Sequence, residues 1–360
     1  MTAQVGETRS ASQARLFELD AARFVAALAV VAFHYLFVGP ARGRFEADFI
    51  GLSWIAQYGY LGVHFFFMLS GFVIVRSVDG KNARQFLRGR IVRLYPLYWV
   101  AVAAVTMLFV FNGGVGLVRV VANITMFQDL LGQKHLDASF WTLEEEAKFY
   151  VLIAFVMWTG QMSRLNLIFS GWLALTYLDT FVGFPYQAER LLLVGWNQYF
   201  IAGAVLHALH QRGHFLPVER VLFALSAFVG IYRLQRDGAI FRTAYDLDHS
   251  FVTSAFVVGG CFGFMWLVAH GRTAWLRSRR WAVVGMMTYP LYLIHQELGF
   301  ELFNRLPWSL EVEAAVITSS MIIVSYLLAR FVEPALAAAL KSRLATKNAP
   351  VLPAGLEVAR

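Results

Sequence analysis

The sequence predicts an all-α fold, a polytopic bundle of membrane-spanning helices, and three observations carry that prediction. Hydrophobic residues make up 58% of the 360-residue chain and charged residues only 15%, against roughly a quarter charged in a soluble domain. Mean hydropathy is +0.56. Apolar runs of about 18–22 residues recur from one end to the other, each long enough to cross a hydrocarbon core of about 30 Å.

Taken in order, ten segments read as spans: 19–38, 54–76, 94–112, 144–160, 165–182, 191–210, 218–236, 250–270, 281–303 and 312–333. Residues 1–18 are polar and lack the basic start and small-residue cleavage site of a signal peptide, so the first helix is expected to be retained. The loops are short. The longest, 113–143, is expected to hold a short surface helix, and the tail after Pro334 turns polar and ends without expected order. The organisation is therefore an N-terminal segment 1–18, a membrane domain 19–334 and a tail 335–360.

Charge sets the topology. The segment between the second and third spans carries six basic residues, that between the eighth and ninth four, and the tail four more. With ten spans all three lie on one side with the N-terminus, and the positive-inside rule makes that side cytoplasmic. The net charge of +8 thus reads as loop charge, and nothing in the pattern resembles a nucleic-acid-binding module. The single cysteine, Cys261, excludes an intramolecular disulfide and a cysteine metal cluster. The histidines show no metal-ligand spacing, and His207, His210 and His214 are expected in solvent at a cytoplasmic helix end.

Titratable residues inside spans are costly and mark function. In RFVAALAVVAFH, Arg23 and His34 lie eleven residues apart, about 16 Å along a helix and within roughly 20° of the same face. Arg23 alone is equally well a snorkelling side chain paired with Asp20. His34, in the outer half, suits proton transfer near neutral pH. His295 brings a second imidazole to the outer half, and His64 one near mid-membrane. In FWTLEEEAKFY, Thr142 reads as an N-cap with Glu145 completing a capping box. Glu146 points elsewhere and is expected to face the interior and orient a histidine, with Lys148 neutralising a neighbouring carboxylate. Arg88, Arg90 and Arg93 fall just before Pro96, where guanidinium forks suit phosphate as well as they suit a positive-inside loop. Ser70 and Gly71 favour close helix packing over a serine nucleophile.

These motifs occur in an order that resembles the acyltransferase family 3 membrane proteins, which acylate hydroxyls of surface glycans and of some small secreted molecules. Arg23-x10-His34 matches the first-span signature, GVHFFFMLSGFVI the second-span motif, Arg90-x-x-Arg93 with Tyr95-Pro96 the arginine motif, and FWTLEEEAKFY the segment whose glutamate falls on Glu146. Ala21-Ala22 replaces the family's frequent Gly-Leu, and Ala147-Lys148 its Glu-Gln. The resemblance implies an O-acyltransferase in a bacterial cytoplasmic membrane, with acyl-CoA, acetyl-CoA first, as co-substrate and no permanently bound cofactor or metal. The acceptor would be a hydroxyl of a polysaccharide, other carbohydrate or small molecule. The expected partners are thus acyl-CoA, acceptor and membrane lipid, without nucleic acid and with no oligomeric state specified. Arg23, Arg90 and Arg93 would hold the donor, His34 and Glu146 would be catalytic, and Asp20, Ser70 and His295 would support them. A transporter using the same Arg, His and Glu as a substrate or proton pathway is the rival class, and a structural subunit of a polysaccharide-export complex is a third.

Overall fold

The computed structural model describes residues 15–45, 51–245, 249–303, 305 and 308–346. Among them the secondary structure is helical throughout, without strands. The principal helices are α1 (Phe17–Phe33), α2 (Gly62–Arg76), α3 (Ala83–Phe111), α4 (Leu117–Ile124), α5 (Trp141–Trp158), α6 (Leu165–Val182) and α7 (Tyr186–Leu192). They continue with α8 (Asn197–Arg212), α9 (Pro217–Tyr232), α10 (Gln235–Tyr245), α11 (Phe251–Ala269), α12 (Trp281–Ile294), α13 (Leu310–Leu327) and α14 (Glu333–Thr346). Each of the ten segments expected to span holds a helix. Among the described residues, seven helical stretches are long and apolar enough to cross a membrane: Phe17–Ala41, Ser53–Arg76, Ala83–Phe111, Met162–Val182, Tyr186–Arg212, Phe251–Ala269 and Leu310–Leu344. The remaining three are α5, whose first turns carry Glu144, Glu145, Glu146 and Lys148, the 16-residue α9, and the 14-residue α12.

Several segments that the sequence reads as continuous are interrupted, among them 54–76, 191–210 and 312–333, and two of the breaks fall at histidines. After Phe33 the backbone passes into a π-helical turn, His34–Val38, a local widening common at functional positions. The ninth segment, expected to run unbroken over 281–303, ends as α-helix at Ile294, with His295 as its C-cap and a separate short turn at Glu297–Phe300. Fourteen residues rise about 21 Å, too short to span a core of about 30 Å alone. Non-helical backbone in a bundle persists when protein satisfies its polar groups. Here the Tyr35 hydroxyl donates to the His295 carbonyl (2.6 Å) and the buried Asp137 carboxylate accepts from the Glu297 N–H (3.0 Å).

The centre of the bundle depends on glycine. A Cβ at Gly71 would stand 2.0 Å from the Phe200 carbonyl oxygen, and one at Gly203 1.7 Å from that of Met68, so α2 and α8 pack backbone against backbone. α8 is covered by α2, α6, α9 and α11. That cover corrects one expectation: His207 is buried, its ring edge-on to Phe72 at 5.1 Å. His210 is half-buried and donates from Nδ1 to the Ala269 carbonyl (3.1 Å), and His214 alone of the three is exposed.

The surface helix expected within 113–143 is α4. It exposes Leu117, Val118, Val121 and Ile124, and α3 receives its C-terminal end, the Tyr98 hydroxyl donating to the Asn123 carbonyl (2.6 Å) and the Trp99 indole to that of Ile124 (3.0 Å). Arg119 lies over Phe109 at the other end, so α4 runs antiparallel to α3 and returns the chain toward the middle of the bundle. The arginine motif, expected in a loop, is helical: α3 starts at Ala83 behind a capping box between Asn82 and Gln85. Beyond Pro334 helix continues to Thr346, with Glu333 paired to Arg93. Residues 1–14 and 347–360, which hold most of the expected N-terminal segment and the end of the tail, lie outside the described residues.

Candidate active site

Among the described residues, two cavities of the bundle adjoin. The larger, about 470 Å³, opens among Arg23 of α1, Ser70 of α2, Arg90 and Arg93 of α3, and Glu146 of α5. The smaller, about 270 Å³, is bounded by His34, Trp141, Trp196, Tyr60 and Gln296. Val63 and Tyr292 belong to the walls of both, so the cavities meet there. Arg23 faces the first and His34 the second. The one-face relation read from their spacing therefore runs from one cavity to the next.

At the basic end, Arg23 keeps the expected partner Asp20 (3.6 Å), which Arg15 holds more closely (2.8 Å). Asp20 is buried against Gly285, where a Cβ would stand 2.5 Å from its own. Arg93 pairs with Glu333 and lies over the Tyr289 ring. Arg90 lies over the rings of Phe86 and Tyr150 (5.7 and 5.8 Å), and its Nε is buried without a hydrogen-bond partner. Aromatic faces hold both guanidiniums in place without using up their N–H groups. Arg88 does not belong to the cavity wall.

Glu146 faces this cavity, and its partner is Ser70, whose hydroxyl donates to Oε1. No hydrogen bond joins Glu146 to a histidine among the described residues. The serine expected to serve packing therefore holds a carboxylate, and Gly71 beside it provides the close packing. The start of α5 also differs. The N-cap is Phe140, and Thr142 lies inside the first turn with Oγ1 2.7 Å from the Tyr292 hydroxyl. Asp137 has taken the capping role one turn earlier, accepting from the Ser139 N–H (2.8 Å), so the helix begins at Trp141. Glu144 accepts from the N–H groups of Asp129 and Leu130 (2.9 and 3.2 Å), while Lys148 lies 3.2 Å from Glu144 and 3.3 Å from Glu145. Arg190 adds a second cation 3.1 Å from Glu145. Lys148 thus neutralises two carboxylates and leaves Glu146 to Ser70.

At the other end, His34 and His295, 261 residues apart in sequence, touch: Nδ1 of His34 is 3.2 Å from Nε2 of His295. Their protons follow from the surrounding carbonyls. His295 Nδ1 lies 2.8 Å from the Tyr292 carbonyl oxygen, and His34 Nδ1 2.8 Å from that of Val30. A carbonyl oxygen only accepts, so each Nδ1 carries the hydrogen. The lone pair on His295 Nε2 then faces the His34 Nδ1–H, and His34 keeps an unprotonated Nε2 toward the cavity. This is how a general base is oriented, by a neighbour that fixes which nitrogen is free. His64, also in the wall, packs edge-on to Trp196 and Tyr199.

Sequence reasoning did not single out Asp137, Trp141, Trp196, Tyr292 or Gln296. Trp141 lies within a motif already quoted and Gln296 directly follows His295, so proximity in sequence was the available signal. Asp137, with Trp196, carried none. A further cluster borders the smaller cavity through Tyr60, whose hydroxyl donates to Asp237 Oδ2 (2.6 Å) and lies 3.0 Å from His249 Nε2. Burial raises the Asp237 carboxyl to about 6 and lowers the His249 imidazole to about 4.

A family model described as an acyltransferase domain matches residues 16–330. Among curated proteins, the chain is 28% identical over 145 residues to "Putative acetyltransferase ORF330" of Acidianus two-tailed virus, covering 38% of this chain and 43% of that protein. It is 26% identical over 263 residues to acyltransferase MdmB of Streptomyces mycarofaciens, covering 69% of this chain and 63% of the relative. The chain thus spans less than two thirds of either relative. No solved structure matches it.

Proposed function

The chain belongs to the acyltransferase family whose domain it matches over residues 16–330, and from that premise we propose that this integral membrane protein is an O-acyltransferase, moving an acetyl group from acetyl-CoA to a hydroxyl of a surface or secreted carbohydrate. One observation carries the reading: the cavity lined by three arginines and the cavity lined by His34 meet at Val63 and Tyr292. A donor with phosphates at one end and a thioester at the other fits that pair. Arg23, Arg90 and Arg93 bind the phosphates through charge-assisted forks, and the thin arm between passes Ser70 and Glu146 to bring the thioester to the junction.

The chemistry is then local to His34. Its Nε2 takes the proton of the acceptor hydroxyl, and the oxygen attacks the thioester carbonyl carbon. The C–S bond breaks as the new C–O bond is kept, and the proton passes from His34 to the departing sulfur. The products are an ester and free CoA thiol. His295 holds the base in the right tautomer throughout. The positive-inside rule supports an orientation with the arginine end toward the cytoplasm, the source of acyl-CoA, and membership of the family supports a cytoplasmic membrane.

Thiol release from acetyl-CoA by purified protein in lipid, with an extract of the host's surface glycans as acceptor, tests the reading. The wild type should release thiol and His34→Ala should not, with its fold and membrane insertion intact. Equal release from both removes His34 from the chemistry. No release from the wild type turns the reading toward a solute pathway through the same polar residues.

A further inference from the structure

Gln296 is 3% exposed, yet among the described residues its side-chain amide makes no hydrogen bond, and Oε1 is buried without a partner. A buried polar group left unpaired costs about 1–3 kcal/mol, and native structures ordinarily supply it with one. This amide belongs to the wall of the smaller cavity, and it is joined in sequence to His295, whose ring touches His34. Three hydroxyls of the same wall are already committed. Tyr60 donates to Asp237 (2.6 Å), Tyr292 to the Ser139 carbonyl (3.1 Å) and Ser139 to Asp137 (2.6 Å). His34 Nε2 and the Gln296 amide are open to a ligand in this cavity, whose wall also holds His64, with Nδ1 buried and unpartnered, and Arg42 and Tyr245.

The same cavity contains Trp141 and Trp196, ring centroids 4.9 Å apart and inclined at 39°. An aromatic wall with a few convergent polar groups is the pattern of a small-molecule site. A sugar ring matches it, with an apolar C–H face for an indole and hydroxyls around its edge. A hydroxyl also matches an amide, because it both donates and accepts. At about 270 Å³ the cavity is below the usual range for drug-sized ligands, which suits a single ring.

Resting on the acyl-transfer reading above, we propose that Gln296 determines acceptor specificity by holding a second hydroxyl next to the one that reacts, so that the acceptor is a sugar presenting adjacent hydroxyls and not an isolated alcohol. The held hydroxyl selects which oxygen of the ring meets His34 Nε2.

The test is acyl transfer from acetyl-CoA by the full chain in lipid to a panel of methyl hexopyranosides and their monodeoxy counterparts. The wild type should show kcat/KM higher by at least about tenfold for a sugar with the neighbouring hydroxyl than for the analogue lacking it, because a site built to bond a hydroxyl rejects its absence. Gln296→Leu should remove most of that preference by lowering kcat/KM for the diol by more than for the deoxy acceptor. Gln296→Glu, which still accepts from a hydroxyl, should restore part of it. Equal loss on both acceptors in Gln296→Leu, or no preference in the wild type, overturns the specificity role while leaving acyl transfer standing. Absence of thiol release from the wild type with every sugar overturns the acyl-transfer reading, and this inference with it.

Discussion

The two cavities are built by different means. At the basic end the functional side chains stand on uninterrupted helices: Arg23 on α1, Arg90 and Arg93 one turn apart on α3, Glu146 on α5. Long flexible cations need only the right face of a regular helix to reach a bound anion. At the histidine end both imidazoles stand at breaks, His34 opening the π turn and His295 closing α12. A contact of 3.2 Å between two short, stiff rings demands backbone that a regular helix does not offer. Holding charge tolerates imprecise placement, whereas proton transfer does not.

That contrast can be broken most sharply at His34. If the histidine end carries the chemistry, His34→Ala should lower kcat by about 10²–10⁴-fold, the usual worth of a general base, with little change in KM for acyl-CoA. The reverse pattern belongs to the basic end. Arg90→Ala should raise KM for acyl-CoA by roughly tenfold to a hundredfold, about 1.5–3 kcal/mol for a charge-assisted bond, with kcat largely kept. Arg90→Lys should recover only part, because an ammonium cannot reproduce the planar fork. Steady-state kinetics on both variants would undo the distinction if the KM and kcat effects were exchanged.

A third test addresses what holds the two ends in register. Gly203→Ala would set a Cβ 1.7 Å from the Met68 carbonyl and push α8 off α2, the helix that contributes to the walls of both cavities. Thermal unfolding in detergent should show a loss of about 1–3 kcal/mol, accompanied by lower activity at both sites. His295→Asn should cost less, about tenfold in kcat for one lost hydrogen bond, and nothing in donor KM.

The smallest expected effect is a pH dependence beside the histidine end, where Tyr60 joins Asp237 and His249. Burial raises the Asp237 carboxyl from 3.8 to about 6, so its contribution is present below its unfolded value and is lost as pH rises through about 6. Burial lowers His249 from 6.5 to about 4, so its contribution is present above the unfolded value and is lost as pH falls through about 4. In the wild type the two oppose each other within the shared window. Asp237→Asn should therefore leave a stability that rises with pH over that window, and His249→Gln one that falls. Melting temperatures against pH for the pair would retire this account if both slopes matched the wild type.

Much of the fold was legible because it is local. The ten apolar segments found by hydropathy all hold helix, and α4 falls where the longest loop was expected to carry one. Within the site, the shared face of Arg23 and His34 follows from eleven residues of helix, and Lys148 reaches Glu144 by ordinary i, i+4 spacing. What failed was non-local. Ser70 read as packing because its partner, Glu146, is 76 residues away. Thr142 read as a cap because the competing cap, Asp137, belongs to a turn with no hydropathy signature. His207 read as solvated because nothing in its neighbourhood announces that α8 is enclosed by four other helices.

The sequence by itself determined the solvent of this protein, the positions of its helices and the face on which each charged residue stands, since hydropathy and a 3.6-residue period belong to contiguous chain. Only the tertiary structure decided that the helices carrying His34 and His295 break where they do, that the two rings meet, and that Gln296 is left beside them with an unpaired amide. Each of those outcomes depends on groups such as Tyr35 and Asp137 arriving from other segments to satisfy backbone that would otherwise have to stay helical.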